Sequence, residues 1–539
     1  MAEPACKPLP RMISGAQALW TESTASCIPH PQNTKQRAVS IDAGRPHGGY
    51  RSRAEDGAKE KGAYYTPDPV VRSLLSWAVR SPDDRLLDPS CGDGRFIAGH
   101  AKSVGIEQDP AAGIIAMQRA PGALIHEGDF FSWAGSTEER FECAAGNPPF
   151  IRYQIFKGPV RKRAISLCND FGARFNALAS SWPMFLVATA HLVMDGGRMA
   201  FVVPAEIGHA PYSAPLIEYL ADNFSTLQII AVRKKLFPDL SEDCWLLYAD
   251  GKGGHTDHIG FTPLETFSYS ERPPAPAILV PLSDWRGLWN KRLRPFLMPP
   301  SARDLYERIA MGATTERFGA FASINIGYVS GANDFFHLRP SDVERFSIPE
   351  EFLFPSVRNS RALPAKQLNA SVIQRWQRED RQSFLLRLNK EMELPASLKK
   401  YLRTSRAKEA ASAYKCRVRD PWYVVPDVKI PDFFLSYMSG RKVAFVQNAA
   451  RASCTNSVHA VTLKDRSKLS RVLAAQESAL FQLSCEIEGH PLGGGMLKLE
   501  PREACNVLIP QEAELAGLDQ DILQSGISAL QTWRHYETA

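Results

Sequence analysis

The sequence predicts an open α/β sheet, mostly parallel and covered by helices on both faces, followed by a less regular α+β domain. Three observations predict it. Strand-like and helix-like segments alternate from about residue 62 to about residue 270. The first strand runs into a glycine-containing turn, Pro89-Ser90-Cys91-Gly92-Asp93-Gly94. The alternation stops at the proline-rich stretch ERPPAPAILVPL, beyond which aromatic residues and short strands take over.

The elements follow in order. Thr66 then Pro67 opens a helix to Arg80, with Val70, Val71, Leu74, Leu75 and Ala78 at helical spacing. Arg85 to Asp88 is a short buried strand, and a helix is expected from Arg95 onward. Val104 to Glu107 is a second strand, followed by a helix through Ile114 and Met117. Ala123 to His126 and Phe141 to Ala145 are the third and fourth strands, and the fourth ends at Gly146-Asn147-Pro148-Pro149-Phe150. A helix over Trp182 to Met194 precedes strands over 198–204, 226–232 and 244–249. The expected organisation is a disordered leader (1–58), a catalytic α/β domain (59–275), a linker (276–289) and a second domain (290–539).

Composition narrows the class. The chain has 539 residues, 44% hydrophobic and 23% charged, as in globular proteins, which excludes a wholly disordered or fibrous chain. It contains no run of 18 apolar residues, so no membrane span is expected. The first 20 residues lack the apolar stretch of a secretory signal. Ten scattered cysteines form no CxxC pair, which argues against a zinc site or a disulfide scaffold and for a reducing cytoplasm. The net charge of +6 permits a polyanionic partner without requiring one.

The strand ends carry the chemistry. A strand entering a glycine turn brings backbone N–H groups close to a ligand. The spacing is neither GxGxxG nor GxxxxGK[ST], so dinucleotide and polyphosphate grips are poor fits. Glu107, at the end of the next strand, can accept both hydroxyls of a ribose, and Asp129 can accept from an exocyclic amine. Together they describe a nucleoside site without polyphosphate. In Asn147-Pro148-Pro149-Phe150 the two prolines remove two donors and fix the chain's direction. The Asn147 side-chain oxygen and the Pro148 carbonyl can then face one planar amino group, and Phe150 offers a ring on which a base can stack.

These segments, GAYYTPDPVV (62–71), DPSCGDGRF (88–96), GIEQDP (105–110), EGDFF (127–131) and GNPPF (146–150), resemble the γ-class amino-methyltransferases of DNA, and in that family's order. LVMDGGRMAFVVP (192–204) and LFPDL (236–240) resemble its later catalytic motifs. GYVSGANDFF (327–336), DPWYVVPDVKIPDFFLSYM (420–438), TNSVHAV (455–461) and GGGMLKL (493–499) resemble the target-recognition blocks of restriction–modification methyltransferases. The resemblance covers roughly 60–510. It implies a Rossmann-like core dependent on S-adenosylmethionine (SAM), with a C-terminal target-recognition domain.

The resemblance also implies roles. Tyr65, Thr66, Pro67, Asp88, Ser90, Gly92, Gly94, Glu107, Asp129 and Phe130 would form the SAM site. Within it Glu107 would hold the ribose and Asp129 the adenine amine. Asn147 and Pro148 would bind the target amine, and Phe150 and Phe237 would sandwich the flipped base. Phe150 stands where Tyr is common, but stacking needs only the ring. Cys91 reads as a small turn residue, since amine methylation needs no covalent enzyme intermediate. The implied target is N6 of adenine in double-stranded DNA. The alternatives are N4 of cytosine, which has the same amine geometry, and a protein glutamine, which would leave the large basic second domain without a use. No metal is expected. The protein is expected to be a monomer, with any cognate endonuclease separately encoded.

For the DNA surface, 399–419 holds eight basic residues, Lys399, Lys400, Arg403, Arg406, Lys408, Lys415, Arg417 and Arg419, against the single acid Glu409. Trp422, Tyr423, Phe433, Phe434 and Tyr437 are expected mainly in the core, with one or two available to the DNA.

Overall fold

The structure, a computed structural model, describes residues 65–536 apart from 239, 241 and 493. The expected leader (1–58) lies outside the described residues. The first described helix, α1 (Asp68–Ala78), buries Val70, Val71, Leu74, Leu75 and Ala78, the stripe that its sequence spacing predicts.

A nine-stranded sheet organises the N-terminal half. Its strands are β1 (Leu86–Asp88), β2 (Ser103–Glu107), β3 (Leu124–Glu127), β4 (Phe141–Gly146), β5 (Val193–Pro204), β6 (Phe224–Val232), β7 (Cys244–Lys252), β8 (His258–Leu264) and β9 (Ile278–Pro281). They lie in the order β3-β2-β1-β4-β5-β7-β6-β8-β9. The first five are parallel. β7 runs antiparallel between β5 and β6. The chain leaves β1 towards β2 and β3, then returns to place β4 on the other side. This reversal opens a crevice at the carboxyl ends of β1 and β4.

Successive residues of the central strands serve opposite faces. Leu87, Ala144, Phe201 and Val203 belong to one apolar cluster. Leu86, Cys143, Ala145, Ala200 and Val202 belong to another, which includes α1. Between the strands lie α2 (Pro110–Arg119), α3 (Phe130–Ala134), α4 (Gly158–Asp170), α5 (Trp182–Leu192) and α6 (Ala214–Asn223). α5 is apolar nearly all round and is buried accordingly.

Two expectations need correction. The helix expected from Arg95 is only a single 3₁₀ turn, Ile97–Gly99. Eight residues separate Gly94 from Ser103, too few for a helix that also returns the chain to β2. Moreover, a Cβ at Gly99 would sit 2.4 Å from Leu75 Cδ1, so α1 already fills the space. The expected linker (276–289) also carries regular structure. Within it, β9 pairs with β8 and is followed by α7 (Leu282–Arg286), whose Trp285 is wholly buried. Proline richness marked a change of pattern there, and the apolar run Ile278–Val280 then joined the sheet edge.

The C-terminal half is mixed α+β. A five-stranded sheet orders strands 322–326, 458–463, 433–436, 445–448 and 367–368, and a four-stranded one orders 337–338, 384–386, 353–357 and 453–454. Its helices Pro300–Ala310, Ala479–Glu488 and Gln520–Trp533 reach back beneath the main sheet. There Leu305, Leu483, Leu523, Ile527 and Leu530 join the cluster holding Phe201, Phe261 and Trp285. A buried ionic group ties the C-terminal elements to one another. Arg534 donates to both carboxylate oxygens of Glu486 at 3.0 and 2.7 Å, and Arg294 donates to the Glu486 carbonyl at 2.7 Å.

Because this core is shared, a fragment ending at residue 275 should lack a cooperative unfolding transition, as followed by circular dichroism. In the full chain, Trp285→Ala should cost about 3–5 kcal/mol in chemical denaturation. Cooperative unfolding of the fragment would show that the two halves have separate cores.

Candidate active site

A cavity of about 330 Å³ opens at the carboxyl ends of β1, β2 and β4. Its wall includes Tyr65, Thr66, Asp88, Ser90, Gly92, Glu107, Asp129, Phe130 and Asn147. Chain segments distant in sequence are thus brought together at one cavity. Pro67 and Gly94, expected in the same site, do not line it.

The glycine turn is shaped by close packing. Gly92 and Gly94 have φ of +54° and +83°, the left-handed region that glycine enters without strain. A Cβ at Gly94 would lie 2.8 Å from Ala116 Cα of α2. The turn is held by Glu107, whose carboxylate accepts from the N–H of Gly92 at 2.8 Å and of Asp109 at 2.7 Å. With no helix beginning at Arg95, a carboxylate takes the place of a helix N-terminus in fixing this loop. Each Glu107 oxygen retains a second lone pair for a ligand hydroxyl.

Asp88 is 1% exposed and accepts from the Ser90 N–H at 3.1 Å. Burial lifts its carboxyl to about 8, aided by the charges of Glu107 and Asp93 against the Ser90 hydrogen bond. β4 passes so close that a Cβ at Gly146 would lie 2.7 Å from Asp88 Oδ1. Asp129 caps α3 with one oxygen, Oδ2, through the Ser132 N–H at 2.8 Å and hydroxyl at 2.6 Å. Burial pushes the Cys91 thiol up, as befits a packing residue and not a nucleophile.

The Asn-Pro-Pro-Phe loop is clamped. Asn147 Nδ2 donates to Thr66 Oγ1 at 3.2 Å, and Ser90 Oγ donates to the Asn147 carbonyl at 3.4 Å. Ser181, next to α5, donates to the Pro149 carbonyl and accepts from the Ile151 N–H at 3.0 Å. Pro148 is buried. Phe237 belongs to the apolar cluster on the α1 side of the sheet, with Leu236 and Leu240, and Phe150 packs against that cluster. Neither ring lines the cavity. A base entering between them has to displace packing in this apolar cluster.

Sequence reasoning missed several wall residues. Asp93 is buried and paired with Arg95 and Arg119, and Lys157, Gln108 and Phe185 also line the wall. Asp93 lay inside the glycine motif and was legible there. Phe185 sits on a helix that is apolar all round, where no pattern singles it out.

The basic stretch 399–419 forms three short helices. They bury Leu398, Tyr401, Ala407, Ala410 and Cys416 and expose Lys399, Lys400, Arg403, Lys408, Lys415 and Arg417. Two of its members face inward instead. Half-buried Arg406 pairs with Asp342 at 3.4 Å, and Arg419 donates to the Val329 and Ser330 carbonyls at 2.6 and 2.7 Å. The spacing Thr404, Ala407, Ala410 sets the buried face of the middle helix, and Arg406 falls beside it. Phe433 and Phe434 are fully buried, while Trp422, Tyr423 and Tyr437 are half-buried.

Comparison with known proteins agrees along the chain. Residues 50–117 match the family described as N-6 DNA Methylase, and residues 290–533 match the C-terminal domain of the Type II methyltransferase M.Eco57I. The Type II methyltransferase M.XamI of Xanthomonas campestris pv. amaranthicola is 25% identical over 490 residues, 84% of this chain and 86% of that protein. M.AccI of Acinetobacter calcoaceticus is 17% identical over 484 residues, 83% and 84% of the two chains. This chain belongs to the restriction–modification DNA methyltransferases. Among solved structures, the type IIL restriction–modification enzyme MmeI in complex with DNA is similar with a TM-score of 0.49 at 12% identity, over 83% of this chain. The type IIG restriction endonuclease BpuSI is similar with a TM-score of 0.41 at 15% identity, over 88% of this chain. The methyltransferase spans 63% and 62% of those two chains, less than two thirds of each.

Asp88 gives the cavity a pH signature. Below about pH 4 the carboxyl is protonated folded or unfolded. Between about 4 and 8 the unfolded chain has released the proton that the folded chain keeps. Stability from this group therefore falls as pH rises, by up to about 1.4 kcal/mol per unit, until Asp88 ionises near 8. Asp88→Asn should gain stability relative to wild type across that window in denaturation titrations. Parallel curves for the two proteins would refute the buried protonated carboxyl.

Proposed function

We propose that the protein transfers a methyl group from SAM to N6 of an adenine flipped out of double-stranded DNA at a defined sequence, as the modification half of a restriction–modification system. The observation that carries this reading is the clamped Asn147-Pro148-Pro149-Phe150 loop beside a cavity walled by Glu107 and Asp129. The match of residues 50–117 to the N-6 DNA Methylase family supports adenine over cytosine.

The residues present fit SAM. Glu107 retains acceptor capacity for ribose hydroxyls, Asp129 keeps its Oδ1 for an amine, and the turn at Gly92 and Gly94 leaves backbone close to the wall. The cavity volume falls in the range of small-molecule sites. Asp93 supplies a carboxylate towards a cationic ligand, beside the carboxyl group of Asp88. When bound, SAM supplies an electrophilic methyl on a sulfonium.

The chain's own part is positioning and electrostatics. A base inside a duplex cannot reach the cavity, so it must be flipped out. The Asn147 side-chain oxygen and the Pro148 carbonyl accept the two N6 hydrogens and leave the nitrogen lone pair directed at the methyl. Holding the amine at attack distance is worth about 7–11 kcal/mol in favourable model reactions. Thr66, Ser90 and Ser181 keep the loop in place, so little reorganisation is required at the moment of transfer. Phe150 and Phe237 part to stack on the base. The exposed basic helices of 396–417 hold the DNA backbone.

Asn147→Ala should abolish methyl transfer to genomic DNA and leave SAM affinity by calorimetry within a few-fold of wild type. Digesting wild-type product to nucleosides should yield N6-methyladenine. N4-methylcytosine would move the target to cytosine, and unchanged turnover in the variant would remove Asn147 from the role. Separately, reversing Lys399, Lys400 and Arg403 to Glu should weaken binding to all DNA alike. It should also lower the log–log salt slope by about one for each phosphate no longer neutralised. An unchanged slope would make this surface merely solvated.

A further inference from the structure

The recognition half holds a second cavity, of about 370 Å³, unrelated to the methyl-transfer site. Its wall carries Arg358, Asn359, Arg361, Arg381 and Gln382, over the buried ring of Trp376. This is a different inventory from the lysine-rich helices at 399–417. Guanidinium and carboxamide groups present paired donors, or a donor beside an acceptor, in fixed planes. Those match base edges, with Arg to guanine O6 and N7 and Asn or Gln to adenine N6 and N7.

The wall is also braced by segments whose motifs resemble target-recognition blocks. Tyr328, in the glycine-Asn segment, has its hydroxyl 2.6 Å from both Ser356 Oγ and His337 Nε2. Burial lowers His337 to about 4, so at neutral pH this ring is uncharged. Thr455, which opens the segment 455–461, donates its hydroxyl to the Arg358 carbonyl at 2.6 Å and its N–H to the Val357 carbonyl at 3.1 Å. Asp334 accepts from Arg358 Nη2 at 2.7 Å and so turns that guanidinium. Gln382 donates to the His337 carbonyl at 3.0 Å, which leaves its side-chain oxygen as an acceptor. Arg361 is exposed and makes no ion pair with a described residue.

We infer that this cleft reads base edges in the major groove of the DNA target, with Arg361 and Arg358 specifying guanine. Asp334 acts as a positioning residue for Arg358. The inference rests on the DNA-methyltransferase reading and adds to it the residues that choose the sequence.

The test compares Arg361→Ala and Arg361→Lys with wild type in the full chain. Methylated positions in genomic DNA give the sequence preference, and binding against salt gives the phosphate contribution. Lysine keeps the charge but loses the fork, so the two variants separate base reading from phosphate binding. The expected result is a wild-type site containing a G·C pair. Both variants should relax preference at that one position by roughly 5- to 150-fold. Arg361→Lys should keep the wild-type salt slope. Asp334→Ala should relax a second position through Arg358. An unchanged site in both Arg361 variants overturns the inference. So does a wild-type-like lysine variant beside an alanine variant that weakens all DNA alike, because that pattern belongs to a phosphate-binding side chain. If wild type methylates no DNA, the functional reading fails separately. Selection of bound duplexes from a random pool then tests the cleft itself: loss of guanine enrichment in Arg361→Lys supports it, and unchanged enrichment overturns it.

Discussion

The structure depends on the need to cover both faces of one nine-stranded sheet. Strands buried on both sides cannot stand against water, and the helices between β1 and β7 do not cover the whole sheet. The remaining area, around Phe261, Val280 and Trp285, is closed by helices from the other half of the sequence, through Leu305, Leu483 and Leu530. The C-terminal half is therefore built onto the N-terminal half through a continuous apolar core. His535 of the C-terminal half meets Asp243 of the N-terminal half across that seam, Nε2 to Oδ1 at 3.0 Å.

This coupling bears on function. A methyltransferase that reads a site in one part and modifies a base in another needs a fixed offset between the two. A dry core shared by the halves supplies that offset better than a flexible connection. Within the catalytic half, the same economy places Asp88, Glu107, Asp129 and Asn147 at or just beyond the carboxyl ends of β1, β2, β3 and β4, where the order of strands reverses.

Much of the site was legible because its motifs are local. The glycine turn, the carboxylate ending β2, and Asn147-Pro148 all sit where a strand ends, and each strand announced itself by an apolar run. Lys157, Phe185 and the inward-facing Arg406 were not legible. Their roles come from neighbours far away in sequence: the facing wall of a cavity, an adjacent helix, and Asp342. The helix expected after Gly94 failed for a related reason. Its propensity was real, but α1 and the short return to β2 left no room.

The sequence by itself determined the alternation of strands and helices, the order of the strand-end residues, and the chemical character of the Asn147-Pro148-Pro149-Phe150 loop. These depend on residues within a few positions of one another, where backbone preference and periodicity act directly. Only the tertiary structure decided that 276–289 joins the sheet, that the C-terminal helices complete the N-terminal half's core, and which arginines of the C-terminal half face outward. Those outcomes turn on which surfaces can exclude water together, and that is a property of segments hundreds of residues apart.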